Sequence, residues 1–324
     1  MIAENFIEKL INNDDVFLPI WGKLNEIWKL PKIKNGYNIE EIYGQKEIQT
    51  NELENFLSNT FFEIYEFLVE RIDQNTFIKR ILREEKYALV IMDGLSIRES
   101  NLIFSNLKIK DLKINDYNFT FSALPSDTEN FCKKFFNVKE PSQITMRKNL
   151  NFQYYHIVKE EDVERIKGDE KKLVVWCAFP DVLMHIKEKG RVVIKSLQEV
   201  LTETLDILRK ILERINSDEI ILTSDHGYIL HRPFAVQSLP GEYQKLMRKI
   251  FGMKRGIKSS DIQEEALNEL REIQEIENLV QIEKEFIVVK NRFVWSVAGR
   301  RSLITHGGLS LMENLIPIIE FKRL

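Results

Sequence analysis

The sequence predicts an α/β fold with a mostly parallel β-sheet flanked by helices. Three short apolar runs have the length and composition of strands buried on both faces: KYALVIMDG (86–94), KKLVVWCAFPD (171–181) and DEIILTSDHG (218–227). A long amphipathic helix is predicted between the last two runs, over 192–217. Strand, helix and strand in this order form a βαβ unit, which indicates a parallel sheet.

Residues 81–324 are predicted to form this α/β domain, and residues 1–80 a helical cap or subdomain that precedes it. In 51–82 apolar residues recur at helical spacing: Leu53, Phe56, Leu57, Phe61, Ile64 and Phe67. The segment 31–44, PKIKNGYNIEEIYG, is interrupted by proline and glycine and is predicted to be a loop.

A charged, helix-rich stretch at 240–285 interrupts the alternation of strands and helices. Its first part, 244–258, holds six basic residues and no acid, and its second part, 261–285, is strongly acidic. We interpret it as an insertion that covers the core as a lid. The alternation ends at 286–299, FIVVKNRFVWSVAG, which again has the composition of a strand.

Composition indicates a globular cytoplasmic protein. The chain has 324 residues, of which 44% are hydrophobic and 30% charged, and no segment approaches the roughly 20 apolar residues of a membrane helix. The start has an acid at Glu4 and no basic region, unlike a secretory signal. Cys132 and Cys177 lie in apolar contexts, which argues against disulfides and thiolate zinc sites. A net charge of −3 argues against tight nucleic-acid binding by the whole surface.

Carboxylates and histidines follow the apolar runs, and another histidine lies near the C-terminus. In open α/β sheets, ligands bind beyond the carboxyl ends of the strands, so these side chains are expected to meet there. They are Asp93, Asp181, His185, Asp225, His226 and His306.

This set suits a metal site better than separate structural roles. Alone, Asp93-Gly94 is typical of a turn, Asp181 and His185 of an i,i+4 helix pair, and the glycines after His306 of a loop. Three of the five histidines fall at these positions, however. Oxygen and nitrogen ligands without thiolates suit Zn²⁺, Mn²⁺ or similar ions.

A possible nucleophile precedes a predicted helix in FTFSALPSDTENFCKKFF (119–136). Ser126, Asp127 and Thr128 would each serve as a helix N-cap, which is the structural alternative. A hydroxyl at a helix N-terminus is also well placed to attack an anionic phosphate, because the backbone N–H groups attract anions. A bound metal would lower the pKa of the hydroxyl.

The order of the motifs resembles that of a PglZ domain, a branch of the alkaline phosphatase superfamily. The resemblance covers 88–319 and omits residues 1–80 and 240–285. It rests on five segments: VIMDGLS, LPSDTENF, PDVLMH, LTSDHGY and THGGLSLMENLIPII.

The resemblance implies two divalent metal ions, with zinc preferred over manganese or magnesium. It assigns one ion to Asp93, Thr128, Asp225 and His226. It assigns the second ion to Asp181, His185 and His306. The nucleophile would be Thr128, in the third position after Pro125, with Ser126 as the alternative.

The sequence departs from the family pattern in two places that concern substrate contacts. Relatives often carry an arginine and an aromatic residue just after the first Asp-Gly, whereas here Arg98 is displaced. The usual arginine in the helix after the nucleophile is replaced around 132–134 by Cys-Lys-Lys.

The function that the resemblance implies is a two-metal phosphodiesterase, such as a nuclease or a hydrolase of cyclic oligonucleotides, in phage defence or signalling. Basic residues of 244–258 would steer nucleic acid over the site, unless they form an ordinary solvated helix face. These residues are Lys245, Arg248, Lys249 and Arg255.

Two alternatives stay open at this stage. One is a phosphomonoesterase or sulfatase-like hydrolase of a small molecule. The other is a defence or signalling module with vestigial catalysis, which would bind protein partners through residues 1–80 or 240–285. The intact set of possible ligands argues against the second alternative. No membrane association is expected.

Overall fold

The structure is a computed structural model. It describes residues 4–30, 38–61, 63–146, 150–188, 196–239, 241–273, 276–283, 285–295 and 304–324. His185 lies in a described helix, but its side chain is outside the described part of the molecule.

The helices in chain order are α1 (Glu4–Ile11), α2 (Phe17–Trp28), α3 (Ile39–Thr60), α4 (Ile64–Gln74), α5 (Phe77–Ile81), α6 (Ile97–Asn106), α7 (Thr128–Phe136), α8 (Asp181–Glu188), α9 (Leu197–Arg214), α10 (Gly241–Phe251), α11 (Glu264–Arg271), α12 (Ile276–Leu279) and α13 (Leu311–Asn314). Short 3-10 helices lie at Pro141–Met146, Glu160–Arg165 and Ser259–Asp261.

The strands are β1 (Tyr87–Met92), β2 (Leu112–Phe121), β3 (Gln153–Ile157), β4 (Lys172–Cys177), β5 (Glu219–Ser224), β6 (Ile229–Leu230), β7 (Gln237–Ser238), β8 (Gly256–Lys258), β9 (Val280–Ile282), β10 (Phe286–Val289), β11 (Phe293–Val294), β12 (Ile304–Thr305) and β13 (Leu315–Arg323).

A six-stranded sheet in the order β2-β13-β5-β1-β4-β3 forms the centre of the fold. Strands β5, β1, β4 and β3 are parallel, whereas β13 is antiparallel to both β5 and β2. The prediction of a mostly parallel sheet flanked by helices is therefore confirmed. Its three apolar runs became β1, β4 and β5, which lie side by side at the centre of the sheet.

Both faces of the sheet are covered, which explains why its central strands are continuously apolar. Alternate residues of β1 point to opposite faces because strand side chains repeat with a period of two. Ala88, Val90 and Met92 join a large cluster with α2, α3, α6 and α9. Leu89 and Ile91 join a second cluster with α5 and α7 on the other face.

The N-terminal helices share the first of these clusters with the sheet. Trp21, Leu24 and Trp28 of α2 and Leu53 of α3 are buried there. The division of the chain into a unit at 1–80 and another at 81–324 stays a prediction. The predicted loop at 31–44 is wrong from Ile39 onward, where α3 begins with Asn38 as its N-cap. Residues 31–37 lie outside the described residues.

The charged stretch at 240–285 contains strands as well as the predicted helices. In it, β8 and β9 pair with β10 to form a three-stranded antiparallel sheet with its own apolar cluster. The predicted strand character of 286–299 is confirmed by β10 and β11, and β10 belongs to this small sheet rather than to the central one. A four-residue apolar run does not reveal which sheet it joins, since the same pattern suits either.

A membrane-spanning helix is not found in the part of the chain that the structure describes: none of its helices is both long and apolar enough.

The inward face of α3 is polar and meets buried arginines. Glu47 is fully buried and pairs with both Arg98 and Arg292. Two turns further on, Glu54 accepts hydrogen bonds from the Leu311 N–H at 2.8 Å and the Tyr65 hydroxyl at 3.3 Å. Burial raises the pKa of Glu54 to about 7, although Arg292 acts in the opposite direction.

We predict that Glu54→Gln stabilises the protein at pH 8 and has little effect at pH 5. Because the pKa of Glu54 is higher in the folded than in the unfolded state, wild-type stability falls as pH rises from about 4.5 to about 7. The neutral amide removes that loss, and we expect a gain of ~1–3 kcal/mol at pH 8. Urea unfolding at both pH values measures it.

The matched control is Glu52→Gln, which changes an exposed acid on the same helix. This variant should follow the wild type at both pH values. A difference between Glu54→Gln and wild type that is the same at pH 5 and pH 8 would contradict the assignment.

Candidate metal centre

The predicted ligands meet at the carboxyl ends of β1 and β5. In the parallel register Met92 lies opposite Ser224, so the residues that follow them, Asp93 and Asp225, emerge side by side. Gly94 has a φ of 71°, a left-handed conformation that glycine adopts without strain, and it turns the chain away directly after Asp93. The Gly94 N–H donates to Asp225 Oδ1 at 3.0 Å, which ties the two strand ends together.

The first ligand group consists of Asp93, Asp225 and His226, whose ligand atoms lie within 4.8 Å of one another. His226 Nε2 is 3.5 Å from Asp93 Oδ1 and 3.6 Å from Asp225 Oδ2. The side chains of Asp225 and His226 are 0% and 1% exposed, and that of Asp93 is 14% exposed. Asp225 and His226 are therefore buried, and Asp93 is the member of the group that solvent reaches.

Thr128 points its hydroxyl at this group from the first residue of α7. Its Oγ1 lies 2.7 Å from Asp225 Oδ2 and 3.3 Å from both Asp93 Oδ1 and His226 Nε2. The helix is capped by Asp127, whose side chain accepts the Asn130 N–H at 2.8 Å. The capping function and the hydroxyl at the site thus belong to adjacent residues.

Ser126, the alternative nucleophile, has a different role in the structure. It is fully buried; its hydroxyl donates to the Gly308 carbonyl at 2.9 Å and accepts the Gly307 N–H at 3.1 Å. These contacts tie the loop before α7 to the loop after His306. Of the two hydroxyls, only that of Thr128 is within hydrogen-bonding distance of the carboxylates.

The second ligand group consists of Asp181, His226 and His306, also within 4.8 Å of one another. Asp181 begins α8, and its N–H donates to the Asp93 carbonyl at 3.1 Å. His306 Nε2 is 4.0 Å from Asp181 Oδ1, and its ring stacks on that of His226 with centroids 4.2 Å apart. His226 thus belongs to both groups, a bridging position that the motifs did not reveal.

His185 follows Asp181 by one turn of α8. This spacing puts both residues on the same face of the helix, as the sequence predicts. The side chain of His185 lies outside the described residues, and its assignment as a ligand stays a prediction.

No lysine or arginine balances the charges of the first group in the described part of the chain. Among the described residues, neither Asp93 nor Asp225 forms an ion pair with lysine or arginine. Burial, reinforced by the charge of Asp225, raises the pKa of Asp93 to about 7. Burial alone would lower the pKa of His226, but the carboxylates of Asp225 and Asp93 raise it well above its ordinary value. Clustered carboxylate and imidazole donors without a lysine or arginine partner are an environment that a divalent cation stabilises.

The four basic residues of 244–258 do not share one environment. Lys245, Arg248 and Lys249 are exposed on α10, where Lys249 pairs with Glu269 at 2.6 Å. Arg255 is 2% exposed and pairs with Glu313. The expectation that Arg255 helps to steer a substrate is therefore wrong, because its guanidinium group does not reach the surface.

The structure gives a role to two polar residues, of which the sequence analysis named only Arg98, and only as displaced from the family pattern. Arg98 is fully buried, pairs with Glu47 and donates to the carbonyl of Tyr228, two residues after His226, at 3.0 Å. Glu313 accepts the Gly308 N–H at 2.7 Å. The Ser-x-x-Glu spacing of Ser310 and Glu313 was a usable signal, because it is a capping-box pattern at a helix start.

The comparisons with known proteins identify a family. Residues 136–321, more than half of the chain, match the family described as "BREX system PglZ alkaline phosphatase-like domain". The match includes Asp181, Asp225, His226 and His306 but begins after Asp93 and Thr128. No curated protein matches the chain by sequence at a significant level.

Several solved structures are similar to parts of the chain. Phosphonoacetate hydrolase from Sinorhizobium meliloti 1021, in complex with phosphonoacetate, is 12% identical over 72% of this chain, with a TM-score of 0.27. This chain covers 65% of that hydrolase. Murine ectonucleotide pyrophosphatase/phosphodiesterase 5, in complex with AMP, is 12% identical, with 74% of this chain and 88% of that chain covered and a TM-score of 0.32. For the alkaline phosphatase PafA the identity is 13%, the coverage 49% and 41%, and the TM-score 0.27.

We predict that Zn²⁺ or Mn²⁺ raises the melting temperature of the wild type and not that of Asp225→Asn. An ion present at ~100 times its Kd adds ~2.7 kcal/mol to stability. Without metal, Asp225→Asn should melt at or above the wild-type temperature, because it removes one of two adjacent carboxylates. Thermal melts with chelator and with each ion measure both effects.

Asp127→Asn is the matched control, since asparagine also caps helices and Asp127 lies outside both ligand groups. It should retain the full metal-induced rise. A metal-induced rise that is equal in wild type and Asp225→Asn would show that the ions bind elsewhere.

Proposed function

Because the chain belongs to the PglZ family of alkaline phosphatase-like domains, we propose that it is a divalent-metal-dependent phosphodiesterase with Thr128 as its nucleophile. One observation carries the proposal. The Thr128 hydroxyl lies at a helix N-terminus, 2.7 Å from a carboxylate oxygen of Asp225, inside a group of donors that suits a cation. A nucleophile, an anion-attracting helix end and a metal site are thus combined at one point.

We assign two ions to the site, with zinc preferred over manganese or magnesium. When bound, the ions would supply positive charge to the phosphate oxygens and lower the pKa of the Thr128 hydroxyl. The first ion would be held by Asp93, Thr128, Asp225 and His226. The second ion would be held by Asp181, His185 and His306, with His226 between the two groups.

The residues of the chain position the reaction. Asp225 Oδ2 accepts the hydrogen bond of the Thr128 hydroxyl and so directs a lone pair of Oγ1 away from the carboxylates, toward a substrate. The first-turn N–H groups of α7 attract the phosphate. Oγ1 releases its proton to solvent and forms a bond to phosphorus while the bond to the leaving oxygen breaks, and the leaving oxygen takes up a proton from solvent and departs as the alcohol. Water then hydrolyses the phosphothreonine, which restores Thr128 and releases a phosphate monoester.

The preference for diesters is supported by the positions of two arginines. A monoester dianion carries more charge than a diester and favours bidentate contact with a guanidinium group. The guanidinium groups of Arg98 and Arg255 are both bound inside the protein, to Glu47 and Glu313 respectively. Neither is available to a substrate.

We propose a nucleic acid or a cyclic oligonucleotide as the substrate, and a role in phage defence or signalling. Lys245, Arg248 and Lys249 expose positive charge on α10, which would attract a polyanion. Two free, buried cysteines, Cys132 and Cys177, agree with the cytoplasmic location that the sequence predicts. Residues 1–80 and 240–285 remain the proposed surfaces for protein partners.

We predict that Thr128→Ala lowers hydrolysis of bis(p-nitrophenyl) phosphate by at least ~1,000-fold, because it removes the nucleophile. Thr128→Ser keeps a hydroxyl at the same place and should retain measurable turnover. Initial rates with Zn²⁺ or Mn²⁺ give the result, and mass spectrometry of acid-quenched enzyme identifies the phosphorylated residue.

Ser126→Ala distinguishes the two hydroxyls, and we expect it to stay active at a reduced rate. Loss of all activity in Ser126→Ala together with retained activity in Thr128→Ala would reverse the assignment. A marked preference for p-nitrophenyl phosphate over the bis ester would favour the phosphomonoesterase alternative.

We also predict that changing Lys245, Arg248 and Lys249 together to glutamine weakens the turnover of a single-stranded oligonucleotide. Each lost phosphate contact reduces the slope of log affinity against log salt by ~0.7. Turnover of the small bis ester should be unchanged, since it does not reach α10. The measurement is kcat/KM at several salt concentrations.

The control changes Lys108, Lys110 and Lys113 together to glutamine, which removes the same amount of positive charge. These exposed lysines lie at or before the start of β2, at the opposite end of the sheet from the site. Identical salt slopes in wild type and the α10 variant would exclude steering by this helix.

A further inference from the structure

We infer that the insertion positions His306: Arg255, directly before β8, holds Glu313, and Glu313 holds the loop that follows His306. The inference rests on the proposed function, because it gives these two residues a role in the metal site. Neither residue belongs to the ligand groups, so both are positioning residues. The second ligand group thereby depends on the insertion at 240–285, which we interpreted from the sequence as a lid.

The chain on the N-terminal side of His306 is held by strand pairing. Thr305 of β12 pairs with Ile229 of β6, and Ile304 pairs with Leu230. Strand β6 follows His226 closely in the chain. This pairing ties one side of His306 to the segment that carries the shared ligand of the two groups.

The chain on the C-terminal side of His306 is held by Glu313, whose side chain is fully buried. Its Oε1 accepts the Gly308 N–H at 2.7 Å, and its Oε2 accepts the Ser310 hydroxyl at 2.5 Å. A buried carboxylate is stable only if its charge is compensated. Another part of the chain must therefore supply a cation to Glu313.

Arg255 supplies this cation. Its Nε donates to Glu313 Oε1 at 3.0 Å, and its Nη2 donates to Glu313 Oε2 at 3.2 Å, which is a bidentate pair. Nη1 and Nη2 also donate to backbone carbonyls of β10 and of the segment that follows it, namely those of Val289, Asn291 and Phe293. Arg255 thus connects the loop after His306 to the small sheet of the insertion.

The packing around this contact leaves no space for the loop to shift. A Cβ on Gly308 would lie 2.7 Å from Arg255 Nε, and a Cβ on Gly256 would lie 2.2 Å from the Gly307 carbonyl oxygen. The Ser126 hydroxyl also binds both Gly307 and Gly308. The loop is therefore held both by the insertion and by the segment that leads to Thr128.

The two ligand groups consequently differ in what supports them. Asp93 and Asp225 follow paired central strands, whereas His306 depends on the Arg255–Glu313 contact. Metal ligands must keep their distances within ~0.2 Å, and outer-shell partners typically contribute ~10–100-fold to metal affinity. Loss of Arg255 should weaken the ion held by Asp181 and His306 and spare the ion at Asp93 and Asp225.

The test is calorimetric titration of the metal-free full chain with Zn²⁺ and with Mn²⁺. We expect two equivalents in wild type, and in Arg255→Gln a second equivalent that binds at least ~10-fold more weakly while the first is unchanged. The matched control is Arg292→Gln, which removes another buried arginine that pairs with a buried glutamate and binds a backbone carbonyl. It should lose stability and keep both equivalents.

A second variant tests the inference if Arg255→Gln does not fold. Ser126→Ala releases the loop from the segment that leads to Thr128 without burying a charge, and it should also weaken only the second equivalent. Ser100→Ala, a buried serine on α6 that does not contact this loop, is its control.

The inference is overturned if the wild type binds only one ion, or if both Arg255→Gln and Ser126→Ala bind two ions as tightly as their controls. Binding is measured without a substrate, so the proposed function is tested separately. Two bound ions without ester hydrolysis would refute the proposed phosphodiesterase and leave the positioning of His306 intact.

Discussion

The structure depends on two carboxylates, Asp93 and Asp225, that are held side by side where there is little water. The register of β1 and β5 places them there, and the apolar clusters on both faces of the sheet prevent the strands from separating. Burial raises the pKa of Asp93, and the like charge of Asp225 raises it further. Backbone N–H groups of Gly94 and His226 stabilise Asp225 Oδ1, but they do not neutralise it. The remaining groups around this point either add donors for a cation or hold those donors in place.

Three buried arginines fix the segments that surround these two carboxylates. Arg98, Arg255 and Arg292 are all buried, and each pairs with a buried glutamate. Leaving a buried charge without its partner is strongly unfavourable, so each pair fixes the relative position of two distant segments. Glu47 of α3 joins the N-terminal helices to α6 and to the segment after β10, and Glu313 joins the insertion to the last strand. These three buried arginines pair with glutamates outside the candidate ligand groups, and among the described residues no lysine or arginine pairs with Asp93 or Asp225.

Much of the fold and of the site could be predicted from the sequence, for identifiable reasons. Strands β1, β4 and β5 are buried on both faces, so they read as continuous apolar runs, and the ligands that follow them lie at the predicted sheet edge. Three features could not be predicted. The strand β10 is four residues long and fits either sheet. His226 bridges two groups only because the ring of His306 stacks on it. Arg255 lies in a run of basic residues, a pattern that predicts an exposed surface. Its partner Glu313 is 58 residues away, so the sequence does not indicate that the two residues pair.

The two ligand groups are held in place by different parts of the fold. This difference suggests how the proposed site could accept another substrate and keep the same chemistry. Asp93 and Asp225 depend on the register of two central strands, and Thr128 depends on a helix cap. His306 depends on contacts with the insertion, whose small sheet has an apolar cluster of its own. An insertion of different length or charge could therefore alter the surroundings of the candidate site while Thr128 stays in place. The condition is that it keeps one buried cation for Glu313, because without it the loop after His306 would have to hold an uncompensated charge.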